Sequence, residues 1–270
     1  MREHVWSMRA PRPLLTLAVI AIGLASCGGS DDVAQSEAVP AIDGTTRTAP
    51  TPTLATTTES STAPTTAPPT TSTTTPPTAC TRVVHIGDST SVGLISTSYL
   101  PDPTQRIDAQ YARVGVVEQH LEIDGARSIV ETHHGSPNAR DTAARLRDAG
   151  FSGCWVFALG TTDSANVGAG SNIDHATRID RMMAVAGNDP VLWTKVKTLV
   201  PQGAWSNQNM QAWNRALDDA TARYPNLRLL DWPAVVQDSW FSSDGIHYTS
   251  EGFAHRARLI ADAVAARSNG

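Results

Sequence analysis

What this 270-residue chain lacks removes several functions at once. Lys and Arg number 21 against 26 Asp and Glu, for a formal charge of −5, and no basic run occurs beyond residue 80. A nucleic-acid partner needs a positive stripe to neutralise phosphates, so nucleic acid is not expected as a partner. The apolar run from Leu14 to Ala25 covers twelve positions, short of the roughly 20 that a membrane-spanning helix takes. A G-x-S-x-G elbow is absent, which sets aside the strand-turn-helix nucleophile of the α/β-hydrolase type. His133 and His134 are adjacent, and adjacent imidazoles do not converge on one ion, so they read as an exposed or rim loop and no metal is expected. No cofactor is expected either.

The N-terminal third holds a different kind of information. Arg2, Arg9 and Arg12 precede the apolar run, which ends in Leu24-Ala25-Ser26-Cys27 and passes into Gly28-Gly29-Ser30-Asp31-Asp32. A basic start followed by a short apolar core is the pattern of an export signal. Small residues before Cys27 resemble the bacterial lipobox, which implies that the Cys27 thiol is lipidated and that Cys27 becomes the mature N-terminus; Met8 already begins a complete signal of this kind. From Thr45 to Ala79, 24 of 35 residues are Thr or Pro. That composition has almost nothing to bury and predicts an extended stalk. At about 3.1 Å per residue in polyproline II, the segment after Cys27 would reach roughly 150 Å. The expected organisation is a lipoprotein signal over 1–27, a disordered Thr/Pro-rich linker over 28–79 and a domain over 80–270, held outside the cytoplasm on the cell membrane by a lipid anchor.

Within the domain, short apolar runs alternate with amphipathic stretches, the pattern of βαβ units on a parallel sheet. Strands are expected at Arg82 to Ile86, His120 to Ile123, Cys154 to Leu159, Val191 to Val196 and Leu227 to Leu230. Helices are expected from Ser89 to about Ser98, Arg140 to Ala149, Asp174 to Ala186, Asn207 to Arg223 and Ser250 to Ala266. Five strands with interleaved helices fit an α/β fold built as a three-layer α/β/α sandwich. In open parallel sheets, ligands sit beyond the carboxyl ends of the strands. Ser89, Gly160, Asp244 and His247 all follow strands there.

Ile86-Gly87-Asp88-Ser89-Thr90-Ser91 and Asp244-Gly245-Ile246-His247-Tyr248 supply complementary groups. Serine is a poor nucleophile near neutral pH until an imidazole takes its proton and a carboxylate orients that imidazole. Ser89, His247 and Asp244 fit those roles, and the three-residue spacing lets one tight loop present both partners.

Gly-Asp-Ser after the first strand, with Asp-x-x-His near the C-terminus, resembles the SGNH (GDSL-like) hydrolases, including the SGNH domains of O-acyltransferases, over roughly residues 80–267. The resemblance implies a flavodoxin-like fold with a mostly five-stranded parallel sheet, and an esterase, lipase or acyltransferase activity. It implies three oxyanion donors: the Ser89 amide, a glycine amide in a second block, matched by Gly125 with Ala126 as the alternative, and an asparagine in Gly-x-Asn-Asp. This chain has Gly160-Thr161-Thr162-Asp163 there, so Thr162 occupies the asparagine position, with Asn166 as a substitute donor. With Cys27 set aside, Cys80 and Cys154 form an even pair in an oxidising compartment. In a flavodoxin-like order their strands are neighbours about 4.8 Å apart, close enough for a disulfide.

The expected function is an exported serine esterase acting on ester-linked acyl groups, O-acetyl groups on cell-envelope glycans among them. Acyl transfer through the same site is one alternative, and a catalytically weak glycan-binding lipoprotein is the other. Of Trp193, Trp205, Trp213, Trp232 and Trp240, most are expected in the core, with some available to stack on sugar rings.

Overall fold

The computed structural model describes residues 80–266. The lipobox with Cys27 and the Thr/Pro-rich stalk lie outside the described residues. Along the chain run β1 (Arg82–Gly87), α1 (Ser89–Val92), α2 (Ile107–Arg113), β2 (Glu118–Ile123), α3 (Ala139–Asp148), β3 (Cys154–Ala158), α4 (Thr161–Gly168), α5 (His175–Ala186), β4 (Val191–Thr194), α6 (Asn207–Thr221), β5 (Leu227–Leu230), α7 (Trp232–Val235) and α8 (Ser250–Ala265). The strands form one sheet in the order β2-β1-β3-β4-β5, parallel at every junction. That is the flavodoxin-like order, and its switch point lies where β1 and β3 part company on the way to neighbouring loops.

Burial on both faces explains why β3 reads as the continuous apolar run Cys-Trp-Val-Phe-Ala: all five residues are buried. One face packs Val84, Ile86, Trp155, Phe157 and Trp193 under α3, α5 and α6. The other packs Val83, Val156 and Leu192 under α2 and α8, through Tyr111, Phe253, Ala257 and Ile260. Helix starts are fixed by side chains that accept the first unpaired amides: Asn138 caps α3, Asp174 α5, Ser206 α6 and Thr249 α8.

Two expectations change, and that of the disulfide stands. The helix from Ser89 ends at Val92 rather than near Ser98, with Gly93 as its C-cap, packed so closely on the Phe253 ring that an added Cβ would lie 2.2 Å from a ring carbon. Helices α2 and α4, the latter rich in polar residues, were not anticipated. Cys80 and Cys154 are joined as a disulfide with Cα atoms 5.6 Å apart. It staples the entry of β1 to the start of β3, at the edge opposite Ser89.

Candidate active site

The turn carrying Ser89 is built by Asp88. Its carboxylate accepts from the Thr90 amide at 2.9 Å and the Thr90 hydroxyl at 2.7 Å, which starts α1 immediately after β1 and presents Ser89 at the helix N-terminus. The same carboxylate accepts the Thr161 amide at 3.2 Å, tying this turn to the one after β3. Burial pushes Asp88 above the usual carboxylate range, against the pull of the Thr90 hydrogen bonds.

The second turn is self-contained. Asp244 Oδ1 accepts the amides of Ile246 (2.8 Å) and His247 (2.9 Å) and the Ser242 hydroxyl (2.9 Å). Its Oδ2 takes His247 Nδ1–H at 2.6 Å, and His247 Nε2 lies 2.9 Å from Ser89 Oγ. With the proton on Nδ1, Nε2 accepts from the serine hydroxyl. Partial burial works against the Asp244 charge, but the hydrogen bonds from His247, Ile246 and Ser242 outweigh it and hold the carboxyl well below its ordinary value. Asp244 and His247 keep side-chain exposures of 46% and 37%, so the pair opens to solvent.

The remaining expected donors fall on two further turns. Ile123 of β2 pairs with Gly87 of β1, and the Asp124 amide donates to the Gly87 carbonyl at 3.2 Å, so the segment holding Gly125 leaves the sheet at the same end as Ser89. A Cβ at Gly125 would meet nothing within 4 Å, so the space beside it is open. Ala126, rather than Gly125, takes the left-handed backbone, at φ 53°. Gly160 has φ 132°, and a Cβ there would lie 2.2 Å from the Trp213 indole, so only glycine lets the chain turn from β3 into α4. Thr162 follows in the first turn of α4, buried, with its hydroxyl lacking any hydrogen-bond partner among the described residues.

Asn166 is elsewhere engaged. Its amide donates to Glu131 at 2.9 Å, so the structure does not bring it to Ser89 as a substitute donor. The reason is a buried network that sequence reading missed. Arg178 of α5 forks onto Glu131 and reaches Asp163 at 2.8 Å; Asp163 also accepts the Ile129 amide at 2.9 Å and the Ser128 hydroxyl at 3.2 Å. The network ties the loop after Gly125 to the helix that carries Thr162. Burial raises Asp163 to about 6 even beside Arg178. The legible signal was Arg178 itself, a charge in the apolar stripe with Ile179, Met182 and Met183. His133 and His134 sit exposed in the loop between β2 and α3. Trp193, Trp213, Trp232 and Trp240 are buried, whereas Trp205 is 37% exposed in the loop between β4 and α6.

No family model and no curated protein sequence matches the chain. Solved structures do. A lipase/acylhydrolase from Enterococcus faecalis superposes with a TM-score of 0.50 at 17% identity, covering 69% of this chain and 96% of that one. A carbohydrate acetylesterase from Sinorhizobium meliloti gives 0.51 at 15% identity, over 69% and 99%. An inhibitor-bound aryl esterase from M. smegmatis gives 0.52 at 16% identity, over 68% and 97%. The chain shares the three-layer α/β/α fold of these esterases and lipases. In that fold Ser89, Thr162, Asp244 and His247 all lie beyond the carboxyl ends of the strands.

Proposed function

We propose that the protein is an exported, lipid-anchored serine esterase acting on ester-linked acyl groups, O-acetyl groups among them, of cell-envelope glycans. The observation that carries the esterase reading is the imidazole of His247, within hydrogen-bond reach of Asp244 at 2.6 Å and of Ser89 at 2.9 Å. Ser89 Oγ attacks the ester carbonyl carbon while His247 Nε2 takes its proton, and Asp244 stabilises the imidazolium that forms. The carbonyl oxygen becomes an oxyanion, met by the Ser89 amide, the Gly125 amide and the Thr162 hydroxyl. His247 then gives its proton to the leaving sugar oxygen. Water, deprotonated by His247 in turn, cleaves the acyl-Ser89 ester and regenerates the serine.

Support for a glycan ester is of two kinds. The acid–base pair is solvent-exposed, which suits an ester on a bulky polymer. Beside it, the Leu199 amide donates to the Gly245 carbonyl at 2.7 Å, and the Thr198 hydroxyl holds the Trp205 carbonyl at 2.8 Å, so the loop bearing the exposed Leu199 and Trp205 docks on the Asp244–His247 turn. An exposed indole is a common platform for the apolar face of a sugar ring. The Sinorhizobium meliloti carbohydrate acetylesterase has the same fold. Lipid anchoring rests on Cys27 and its flanking residues in the sequence.

The test is labelling of the purified protein with a fluorophosphonate probe, with Ser89→Ala as control, followed by acetate release from O-acetylated wall glycan and from p-nitrophenyl acetate. Labelling confined to Ser89 with release from both esters is expected. Transfer of the acyl group to an added sugar hydroxyl in preference to water would make the protein an acyltransferase, and no labelling under any condition would leave a binding protein.

A further inference from the structure

Exposed apolar side chains are unevenly spread over the domain. Of the seven large ones among the described residues, Val92, Ile95 and Tyr99 follow Ser89 in the chain, and Leu199 and Trp205 belong to the loop held against the Asp244–His247 turn. A single exposed apolar residue needs no explanation, but five of seven on the two segments that flank one serine do.

The segment after Ser89 sorts its side chains by turns of three. The amides of Ser91, Leu94, Ile95 and Ser96 each donate to the carbonyl three residues earlier, at 2.9, 2.9, 3.4 and 3.3 Å. Such turns stack positions i and i+3 in one row. Two rows, Thr90 with Gly93 and Ser91 with Leu94, are buried; the third, Ser89 with Val92 and Ile95, faces out, with Val92 37% and Ile95 39% exposed. Val92 therefore stands about 5 to 6 Å along the row from Ser89, and Ile95 as far again. The row is also held in place. Gly93 lies on the Phe253 ring, Tyr99 meets that ring edge-on at 5.0 Å, and the Ile107 amide donates to the Leu94 carbonyl at 3.1 Å. Ser96, Thr97 and Ser98 follow directly and are polar, so this surface does not in itself call for apolar side chains.

Ester chemistry divides the surroundings of the site between the two halves of the substrate. His247 protonates the leaving oxygen, so the alcohol half lies on its side, where Leu199 packs on the turn: a Cβ at Gly245 would come 3.3 Å from Leu199 Cβ. The acyl half is bonded to Ser89 Oγ in the intermediate and has to leave along whatever borders Ser89. We propose that the Val92–Ile95 row is the acyl subsite and that it takes an unbranched aliphatic chain longer than acetyl, with butanoyl reaching Val92 and octanoyl reaching Ile95. This rests on the esterase reading above and narrows it: an O-acetyl ester is a substrate that leaves the row empty, and a longer acyl ester is the better one. The occupant is set by covalent continuity, since the chain that follows the acyl carbon starts at Ser89 itself.

The experiment compares kcat/KM of the full-length protein on the p-nitrophenyl esters of acetate, butanoate, hexanoate and octanoate, each corrected for its rate with hydroxide. In the wild type kcat/KM should rise along the series by up to about 4-fold for each methylene, the value of one fully buried CH₂. Val92→Ser should lower the butanoate-to-acetate ratio, and Ile95→Ser the octanoate-to-butanoate ratio. Val117→Ser is the control: Val117 is exposed at the entry of β2, at the edge opposite Ser89, and its loss should leave both ratios as they are. Should a serine variant lack a cooperative thermal transition, Val92→Thr or Ile95→Thr carries the same expectation. Fluorophosphonate labelling separates the two ways to fail. A wild type labelled at Ser89 whose kcat/KM stays flat or falls with chain length, or a ratio unmoved in its own variant, overturns the acyl subsite and leaves the esterase reading standing. A wild type that neither labels nor hydrolyses any of the four esters overturns the esterase reading and the subsite with it. A rise with chain length that needs phosphatidylglycerol vesicles would seat the row on a membrane, and one that tracks dimer formation would seat it on a second copy of the chain; both overturn the proposal.

Discussion

The turn carrying Asp244 and His247 and the turn carrying Thr162 reach the same edge of the sheet by opposite means. The first is exposed and local: Asp244 takes hydrogen bonds from Ser242, Ile246 and His247, all within three residues. The second is buried and long-range, locked by Arg178, Glu131, Asp163 and Ser128 and, on its other side, by Asp88. Proton transfer needs a base that reaches solvent to exchange protons, whereas oxyanion stabilisation needs donors that do not reorganise. One side of the site is arranged by sequence neighbours, the other by the tertiary fold.

The largest effect should come from breaking the first turn. Ser89→Ala and His247→Ala are each expected to lower kcat on p-nitrophenyl acetate by about 10⁴-fold or more, and the double variant to be little worse than either alone, because the residues act as a unit. Thermal unfolding should barely change, since neither side chain is fully buried and Asp244 keeps its backbone partners. Full activity in either variant, measured against a Ser89-specific label, would refute the assignment.

Breaking the second turn should do the reverse, costing stability before chemistry. Arg178→Met leaves Asp163 buried without its cation, a loss of about 3 to 5 kcal/mol. The gap from wild type should also depend on pH. Burial opposes the Glu131 charge, but Arg178 and Ser128 overcome it and hold the carboxyl well below its ordinary value of 4.5. That stabilisation is present above the unfolded value and is lost as pH falls through and below it. Asp163, already raised to about 6, should rise further without Arg178 and destabilise the variant most near neutrality. Urea unfolding should therefore find the gap widest at pH 7 and narrower at pH 4. A gap that widens on acidification would mean the network is not held by charge.

The contrast also explains what could be read in advance. Asp-x-x-His and Gly-Asp-Ser are local spacings, and β3 is an unbroken apolar run, so the Asp244–His247 turn, the Ser89 turn and the sheet were legible. Helix α4 was not: Thr161-Thr162-Asp163-Ser164 has no apolar period, and its buried Asp163 is held by Ser128, Ile129 and Arg178 from distant segments. Asn166 was offered as an oxyanion donor on proximity in sequence, yet Glu131, 35 residues away, takes its amide.

The opposite edge of the sheet provides a control for both turns. Reducing the Cys80–Cys154 bond, which spans 74 residues, should destabilise the domain by about 2 to 4 kcal/mol through the freedom returned to the unfolded chain. Because the bond lies at the entry of β1 and the start of β3, kcat measured well below the melting transition should be unchanged. A loss of rate before any loss of fold would show that strain at that edge is transmitted to Ser89.

The sharpest test of the comparison concerns Thr162. Its hydroxyl is buried next to Asp163 and has no partner among the described residues, so it is available to donate as negative charge develops. Thr162→Val keeps the shape and removes that donor, and kcat on p-nitrophenyl acetate should fall by about 10-fold, less than the 100- to 1000-fold typical of a well-placed oxyanion donor because a hydroxyl reaches less far than an amide. Thr162→Asn supplies the longer donor and should raise kcat, by up to about 100-fold if the amide reaches the oxyanion. Asn166→Ala should leave kcat nearly unaltered and lower stability modestly, since its amide serves Glu131. If Thr162→Val matches the wild type while Asn166→Ala slows it, the amide leaves Glu131 during turnover, and the buried turn is not the rigid counterpart of the exposed one.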